Sequence, residues 1–173
     1  MIPRKRVWLL LEALIYLRAK RPDLLIEWTH IGEGPEWDIL VEKKDKYLQD
    51  IKVTFTGNIN NEKLIEFYKS NPVDLFVNTS IKEGTPVSIM EAISFGIPIL
   101  ATSFGGGGEI VELGAGIMLS QTPTPQEISD KIEDLIMNPQ RLKNLRAISK
   151  RVWKEHYNSF KNYTVFCEDL IAL

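Results

Sequence analysis

Two carboxylates, Glu83 and Glu91, stand with seven residues between them in the stretch EGTPVSIMEA and bracket a helix start. Thr85 can cap that helix with its hydroxyl. Pro86 suits the first helical position, where its absent N–H needs no partner, and Gly96 can end the helix, so a short helix is predicted over 86–95. The first N–H groups of such a helix point outward with partial positive charge and favour an anionic group such as a phosphate. Glu91 then lies about 9 Å along the axis, at roughly 1.5 Å per residue. One extended ligand of nucleotide-sugar length can reach the helix start and both acids. Taken alone, the pair would be a loop acid and a helix-surface acid; the residues around them make a site of it.

Such a helix has to be carried by strands, and the chain supplies them in alternation. Val7, Leu10, Leu11 and Leu14 recur at helical spacing until Pro22 breaks the pattern, and LLIEWTHIG at 24–32 reads as a strand. A polar helix at 36–49, a strand at 51–57, a helix at 60–70 and a strand at 73–79 follow. After the site helix come a strand at 97–102, the glycine run Gly105 to Gly108, a helical turn from Glu109 and a last strand at 115–119. The glycine run reads equally as a flexible turn or a ligand loop. This order predicts an α/β fold, a Rossmann-like parallel sheet flanked by helices on both faces, with ligands bound beyond the carboxyl ends of the strands. Glu83 falls at such an end.

Beyond residue 120 the pattern is helical. Thr124 and Glu127 form a capping box around Pro125, Ile128, Ile132 and Leu135 supply an apolar face, and Asn138-Pro139 starts a further helix. Tyr157, Phe160, Tyr163, Phe166 and Leu170 then form a final stripe, through which some self-association is expected.

Composition bounds the function. The 173 residues, 44% hydrophobic and 25% charged, suit one globular domain with a real core. Twenty-one basic against twenty-three acidic residues leave a net charge of -2, so no global field favours nucleic acid or an anionic membrane, and any anion site must be local. The single Cys167 cannot form an internal disulfide, and it is expected to be packed rather than reactive. With only His30 and His156 beside it, no metal-ligand spacing is present. No apolar run approaches membrane-span length and no signal-peptide cleavage site follows the start, so a metal-free cytoplasmic protein is expected. His30 lies in a strand pattern and reads as a core or edge residue, and the four tryptophans read as structural. Gly32-Glu33-Gly34 hints at a dinucleotide fingerprint, but Trp37 occupies its third glycine position.

With these residues in view, the chain resembles the carboxy-terminal, donor-binding domain of family-four retaining glycosyltransferases, which have the two-domain GT-B fold. That family carries a string like EGxPxxxxEAxxxGxPxxA, matched here by Glu83, Gly84, Pro86, Glu91, Ala92, Gly96, Pro98 and Ala101. PRKRVWLLLEAL, IGEGPEW, VTFTGNI and GGGGEIV follow the family's order. The resemblance covers nearly all of the chain and implies a single nucleotide-sugar-binding domain over 1–173. Glu83 would face the donor sugar, Glu91 the ribose hydroxyls, and Lys5, with Arg4 as its fallback, the diphosphate. Gly84, Thr85, Pro86 and Val87 at the helix start and Gly106 and Gly107 in the glycine run would complete the cradle, and the base would sit near Asn58 and Ile59. The implied donor is a nucleotide-diphosphate sugar, UDP- or GDP-linked, with no metal or other cofactor. Retention is explained in the family by attack on the face from which the phosphate departs, though a protein nucleophile is debated.

Three departures qualify the match. The family's arginine five residues before the lysine would precede Met1, and the domain's first strand and the amino-terminal acceptor domain lie outside the sequence. Gly107-Gly108 replaces a residue-proline pair, so the loop is expected to be mobile when empty. Such a fragment would bind donor without transferring it. The full enzyme would act in bacterial surface polysaccharide or glycolipid synthesis, with peripheral association at the inner face of the membrane. Two other readings are weighed. A sugar-nucleotide epimerase would need its own acid and base, against which the EGTPVSIMEA string argues. A non-catalytic nucleotide-binding or receiver module would need an acidic cluster at early strand ends, and 24–32 and 51–57 offer none.

Overall fold

The computed structural model describes residues 4–82, 84 and 86–171. Helices and strands alternate in the predicted order. Helix α1 (Val7–Lys20) leads to strand β1 (Glu27–His30), then α2 (Trp37–Tyr47), β2 (Lys52–Phe55), α3 (Asn61–Ser70) and β3 (Phe76–Asn78). Next come α4 (Val87–Ser94), β4 (Ile99–Thr102), α5 (Gly105–Ile110), a wider π-type turn at Val111–Ala115 and β5 (Gly116–Leu119). The remainder is helical: α6 (Pro125–Met137), α7 (Pro139–Val152), a second π-type turn at Trp153–Tyr157 and α8 (Ser159–Ile171).

Every strand pairing within the named strands is parallel, as expected, but the ladder is divided. β1 pairs with β2, and β3-β4-β5 form a separate three-stranded sheet. The strands are also shorter than the apolar runs that predict them; Leu25, inside the run 24–32, is fully exposed and β1 starts only at Glu27. What joins the two sheets is α1. It is apolar around most of its circumference, which suits a helix buried on more than one side. Leu9, Ala13 and Leu17 pack with Leu100, Ile117 and Leu119 of the larger sheet and with Ile128, Ile132 and Leu135 of α6. Leu11 and Leu14 pack with Trp28, Leu40, Leu48 and Ile51 around the smaller one. Ile26 touches both clusters.

Strand periodicity places helices on both faces of the larger sheet. Along β4, Leu100 faces the α1/α6 layer, while Ile99 and Ala101 face Ile89 and Ile93 of α4, Ile110 of α5 and Val152 of α7. Each fully buried Leu or Ile contributes about 1.5–3 kcal/mol, so these two layers fix the register of the strand ends that the site depends on. Two caps behave as read: Asn138 Oδ1 accepts from the Arg141 N–H at 3.1 Å, and Thr124 Oγ1 from the Glu127 N–H at 3.1 Å. The capping box closes on one side only, because the Glu127 carboxylate accepts instead from the N–H and hydroxyl of Ser120, at 2.7 and 2.6 Å.

Three expectations are corrected. The glycine run is neither a turn nor a loose loop: it forms α5. Glycine is a poor helix former, but without side chains these residues press close to β4 and α4, where a Cβ on Gly107 would stand 3.3 Å from Ile89 Cδ1. Pro86 takes the cap position of α4 rather than the first helical one, since its ψ of 118° is extended. Cys167 is exposed, because none of α8 is buried. Among the described residues, no helix is long and apolar enough to cross a membrane.

Candidate functional site

The carboxyl ends of β3 and β4 gather the loops that matter. The turn before α1 is sewn to the loop after β3: the Ile81 N–H donates to the Arg4 carbonyl at 2.9 Å, and the Thr79 hydroxyl shares its one proton between the carbonyls of Lys5 and Arg6, at 2.8 and 3.0 Å. Arg4 and Lys5 are exposed there, so both predicted cations stand at this edge. The Thr102 hydroxyl at the end of β4 reaches the Ser80 carbonyl at 2.6 Å, and the Ser80 N–H bonds Asn78 Oδ1 at 2.9 Å. Between these loops lies a cavity of ≈ 10 Å³, room for about one water, lined by Asn78, Ser80, Ala101, Thr102, Phe104 and Gly107.

Arg6, beside Lys5, was not singled out by sequence and is the least expected residue here. It is only 7% exposed, and it caps α1 with φ 47° and ψ 42°. This left-handed conformation costs a non-glycine residue about 1–2 kcal/mol, and it is the only non-glycine residue described with positive φ. Its Nε donates to the Thr79 carbonyl at 2.6 Å, and its two terminal nitrogens approach the Gln121 carbonyl at 3.5 and 3.4 Å. Burial pulls the guanidinium pKa down.

Helix α4 starts at this edge. Pro86 is buried, and its carbonyl accepts from the N–H groups of Ile89 and Met90, at 3.0 and 3.2 Å, whereas Val87 is 61% exposed on the first turn. Gly96 ends the helix as read, with φ 72° and its N–H on the Ile93 carbonyl at 2.9 Å. Gly84 is exposed, and its carbonyl accepts from the Gly106 N–H at 3.2 Å, which corrects the expectation that Gly106 offers that N–H to a ligand. Gly106 and Gly107 are both buried, the latter walled by Ile89, Ala101 and Pro86. Glu83 and Thr85, including the cap assigned to Thr85, lie outside the described residues.

Glu91 does not line the small cavity. One turn into α4 its carboxylate turns to the start of α3, where Asn61 Nδ2 donates to Oε1 at 2.5 Å. Burial pushes the Glu91 carboxyl up from its ordinary pKa, with the Asn61 bond pulling the other way. The neighbouring Tyr68 phenol is pushed up to about 12, by burial first and then by the charge of Glu91. Asn58 and Ile59 lie in the loop just before α3, Asn58 exposed and Ile59 half-buried. Asn58 Nδ2 donates to Glu33 Oε2 at 3.2 Å, across the bridge where the Gly32 N–H meets the Gly57 carbonyl at 2.9 Å. The Gly57 φ of 68° suits a glycine, and a Cβ there would come within 2.8 Å of Glu33 Oε1. His30 is half-buried at the end of β1, its ring edge-on to Phe55 with centroids 5.8 Å apart, and burial lowers its pKa.

The predicted residues thus fall in two groups joined by α4. Arg4, Lys5, Gly84, Pro86, Val87, Gly106 and Gly107 gather at the ends of β3 and β4, and Asn58, Ile59 and Glu91 gather about the start of α3. The arrangement offers cations and a helix start for an anion on one side, and hydrogen-bond acceptors for hydroxyls on the other. Asn61, Glu33 and Thr79 complete it and were missed: each acts through a partner 25 to 74 residues away, which no local pattern announces.

Comparison with known proteins agrees with this architecture. The chain is 28% identical over 153 residues to the O-antigen biosynthesis glycosyltransferase WbnH of Escherichia coli, covering 83% of this chain and 42% of that one. It is 31% identical over 149 residues to the uncharacterized glycosyltransferase MJ1069 of Methanocaldococcus jannaschii, covering 82% and 36%. The crystal structure of Anabaena Alr3699/HepE in complex with UDP-glucose superposes with a TM-score of 0.77 at 22% identity, over 100% of this chain and 47% of that one, which shows a shared GT-B fold. The chain therefore spans less than half the length of these relatives. The family model described as glycosyl transferases group 1 matches residues 1–152, and the chain belongs to that family.

Proposed function

We propose that this chain is the part of a retaining glycosyltransferase that binds its donor, a UDP- or GDP-linked sugar. The observation that carries this reading is the meeting of the Lys5 turn, Gly84 and the start of α4 at the ends of β3 and β4, with Glu91 one turn further along α4. In this reading the diphosphate lies against Lys5 and the first turn of α4, and Glu91 accepts from the ribose hydroxyls. The base lies near Asn58 and Ile59, and Glu83 faces the sugar. As the bond from the sugar's anomeric carbon to the diphosphate oxygen breaks, negative charge gathers on the diphosphate, so the contribution of Lys5 rises towards the transition state. The acceptor oxygen bonds to that carbon from the same face, and its proton passes to the departing phosphate. The positive charge comes from the protein, and no metal is needed.

The transfer itself is assigned to the longer protein, whose other half would bring the acceptor. The name of one relative, an O-antigen biosynthesis glycosyltransferase, supports a role in surface polysaccharide or glycolipid synthesis; we place that role on the cytoplasmic side of the membrane as part of the same proposal. The fold alone would not justify this, since one fold serves many chemistries. The test is calorimetric titration of the chain and of Lys5→Ala with UDP, GDP and ADP sugars, with and without chelator. One nucleotide should bind with weak to moderate affinity, unaffected by chelator, more weakly in high salt and more weakly still after Lys5→Ala. Absence of binding by all three would refute the reading.

A further inference from the structure

We propose that Arg6 is a positioning residue for Lys5, an inference that rests on the donor reading above. The guanidinium of Arg6 is buried, yet among the described residues it meets no carboxylate; its hydrogen bonds go to the carbonyls of Thr79 and Gln121. Breaking up such an arrangement leaves a buried charge or an unsatisfied carbonyl, so the side chain fixes where the loops after β3 and β5 stand relative to the turn. In return, the Thr79 hydroxyl holds the carbonyls of Lys5 and Arg6, and the Ile81 N–H holds that of Arg4. Lys5 is therefore pinned at its own carbonyl and at both neighbours, while its side chain stays exposed.

The backbone conformation points the same way. A glycine would adopt φ 47° without strain, but it would supply none of the three contacts made by the guanidinium. A strained residue persists where its surroundings over-determine it, and here they do so through the groups that aim the lysine. An unpinned turn would let the backbone of Lys5 sample many positions. Held as it is, its backbone is preorganised for a diphosphate at the start of α4.

The experiment compares UDP with uridine, which lacks the diphosphate. The selectivity, Kd for uridine over Kd for UDP, should fall about tenfold in Arg6→Gly, with uridine affinity within about twofold of the parent chain. Arg6→Lys should recover part of the loss, since a single ammonium can still reach the Thr79 carbonyl. Combined with Lys5→Ala, Arg6→Gly should cost no further selectivity, because both changes act through one contact. If Arg6→Gly does not fold, Thr79→Val, which removes the hydroxyl that binds the Lys5 and Arg6 carbonyls, should show the same selective loss. A purely structural role would lower UDP and uridine binding equally, or would add to Lys5→Ala, and either result overturns the proposal. A ligand-free readout separates this inference from the donor reading: backbone order parameters at residues 4–6 should fall in Arg6→Gly. If they fall and the parent chain binds no nucleotide, the donor reading fails alone; if they do not change, the positioning role fails.

Discussion

Glu91 offers the sharpest test of how the two groups of residues cooperate. Its carboxylate has about four acceptor positions, and Asn61 uses one, so enough remain for two ribose hydroxyls. A hydrogen bond to a charged group contributes about 1.5–3 kcal/mol, and solvent at this half-buried residue argues for about 1–1.5 kcal/mol each. Glu91→Ala should then weaken uridine and UDP alike by about 2–3 kcal/mol, or roughly 30- to 150-fold at 1.4 kcal/mol per tenfold. Glu91→Gln keeps one accepting oxygen and should lose only about tenfold.

The pH dependence has a definite sign. Burial raises the folded-state pKa of Glu91, and ribose hydroxyls need the ionised form, so affinity should climb with pH through that raised value and then level off. The Glu91→Gln chain should show no such climb. Stability should move the opposite way. With the folded pKa raised above the unfolded one, the contribution of Glu91 is fully present below the ordinary carboxylate range and is lost as pH rises through the folded value. The calorimetric titrations of uridine at several pH values, beside thermal melts, read both effects. Uridine affinity in Glu91→Ala within about twofold of the parent would refute the ribose assignment.

Two further outcomes check the frame around the site. A Cβ on Gly116 would stand 1.9 Å from the Ile99 carbonyl oxygen and 2.8 Å from its carbon, so Gly116→Ala should split the β4–β5 ladder. We expect a loss of about 3 kcal/mol, or a melting temperature roughly 6–12 °C lower; an unchanged melt would contradict the register. Cys167 is exposed on α8, so a thiol reagent should label the folded chain nearly as fast as the denatured one. A labelling rate that falls as chain concentration rises would report that stripe becoming covered between copies.

The alternation of elements was legible because the apolar runs are short and punctuated; β4, for instance, is wholly buried between Gly96-Ile97-Pro98 and Ser103. The helix expected at 60–70 is there, with the Asn60 side chain accepting from the Lys63 N–H at its start, but no local pattern announces the bond from the next residue, Asn61, to an acid thirty positions away. Propensity argued against a helix over Gly105 to Gly108, and tertiary packing against Ile89, Ala101 and Pro86 overruled it. Arg6 escaped because a basic run such as Arg4-Lys5-Arg6 reads as uniformly solvated, while the structure buries its last member. Thus the helix at the centre of the candidate site was visible in the residues around it, and the partners that hold Lys5 and Glu91 were not.

The division of the sheet has a consequence for where this chain, taken by itself, opens first. Among the described residues, β4 is laddered on both sides, whereas β1, β2, β3 and β5 each have one strand neighbour. Amide exchange should therefore be slowest along β4 and faster in the β1–β2 pair, which forms a smaller cooperative unit. The loops assigned to the base extend from that less protected pair, and the cations assigned to the diphosphate stand beside the better protected one. A ligand spanning both would couple two regions of unequal local stability, slowing exchange at amides of β1 and β2 that it never touches.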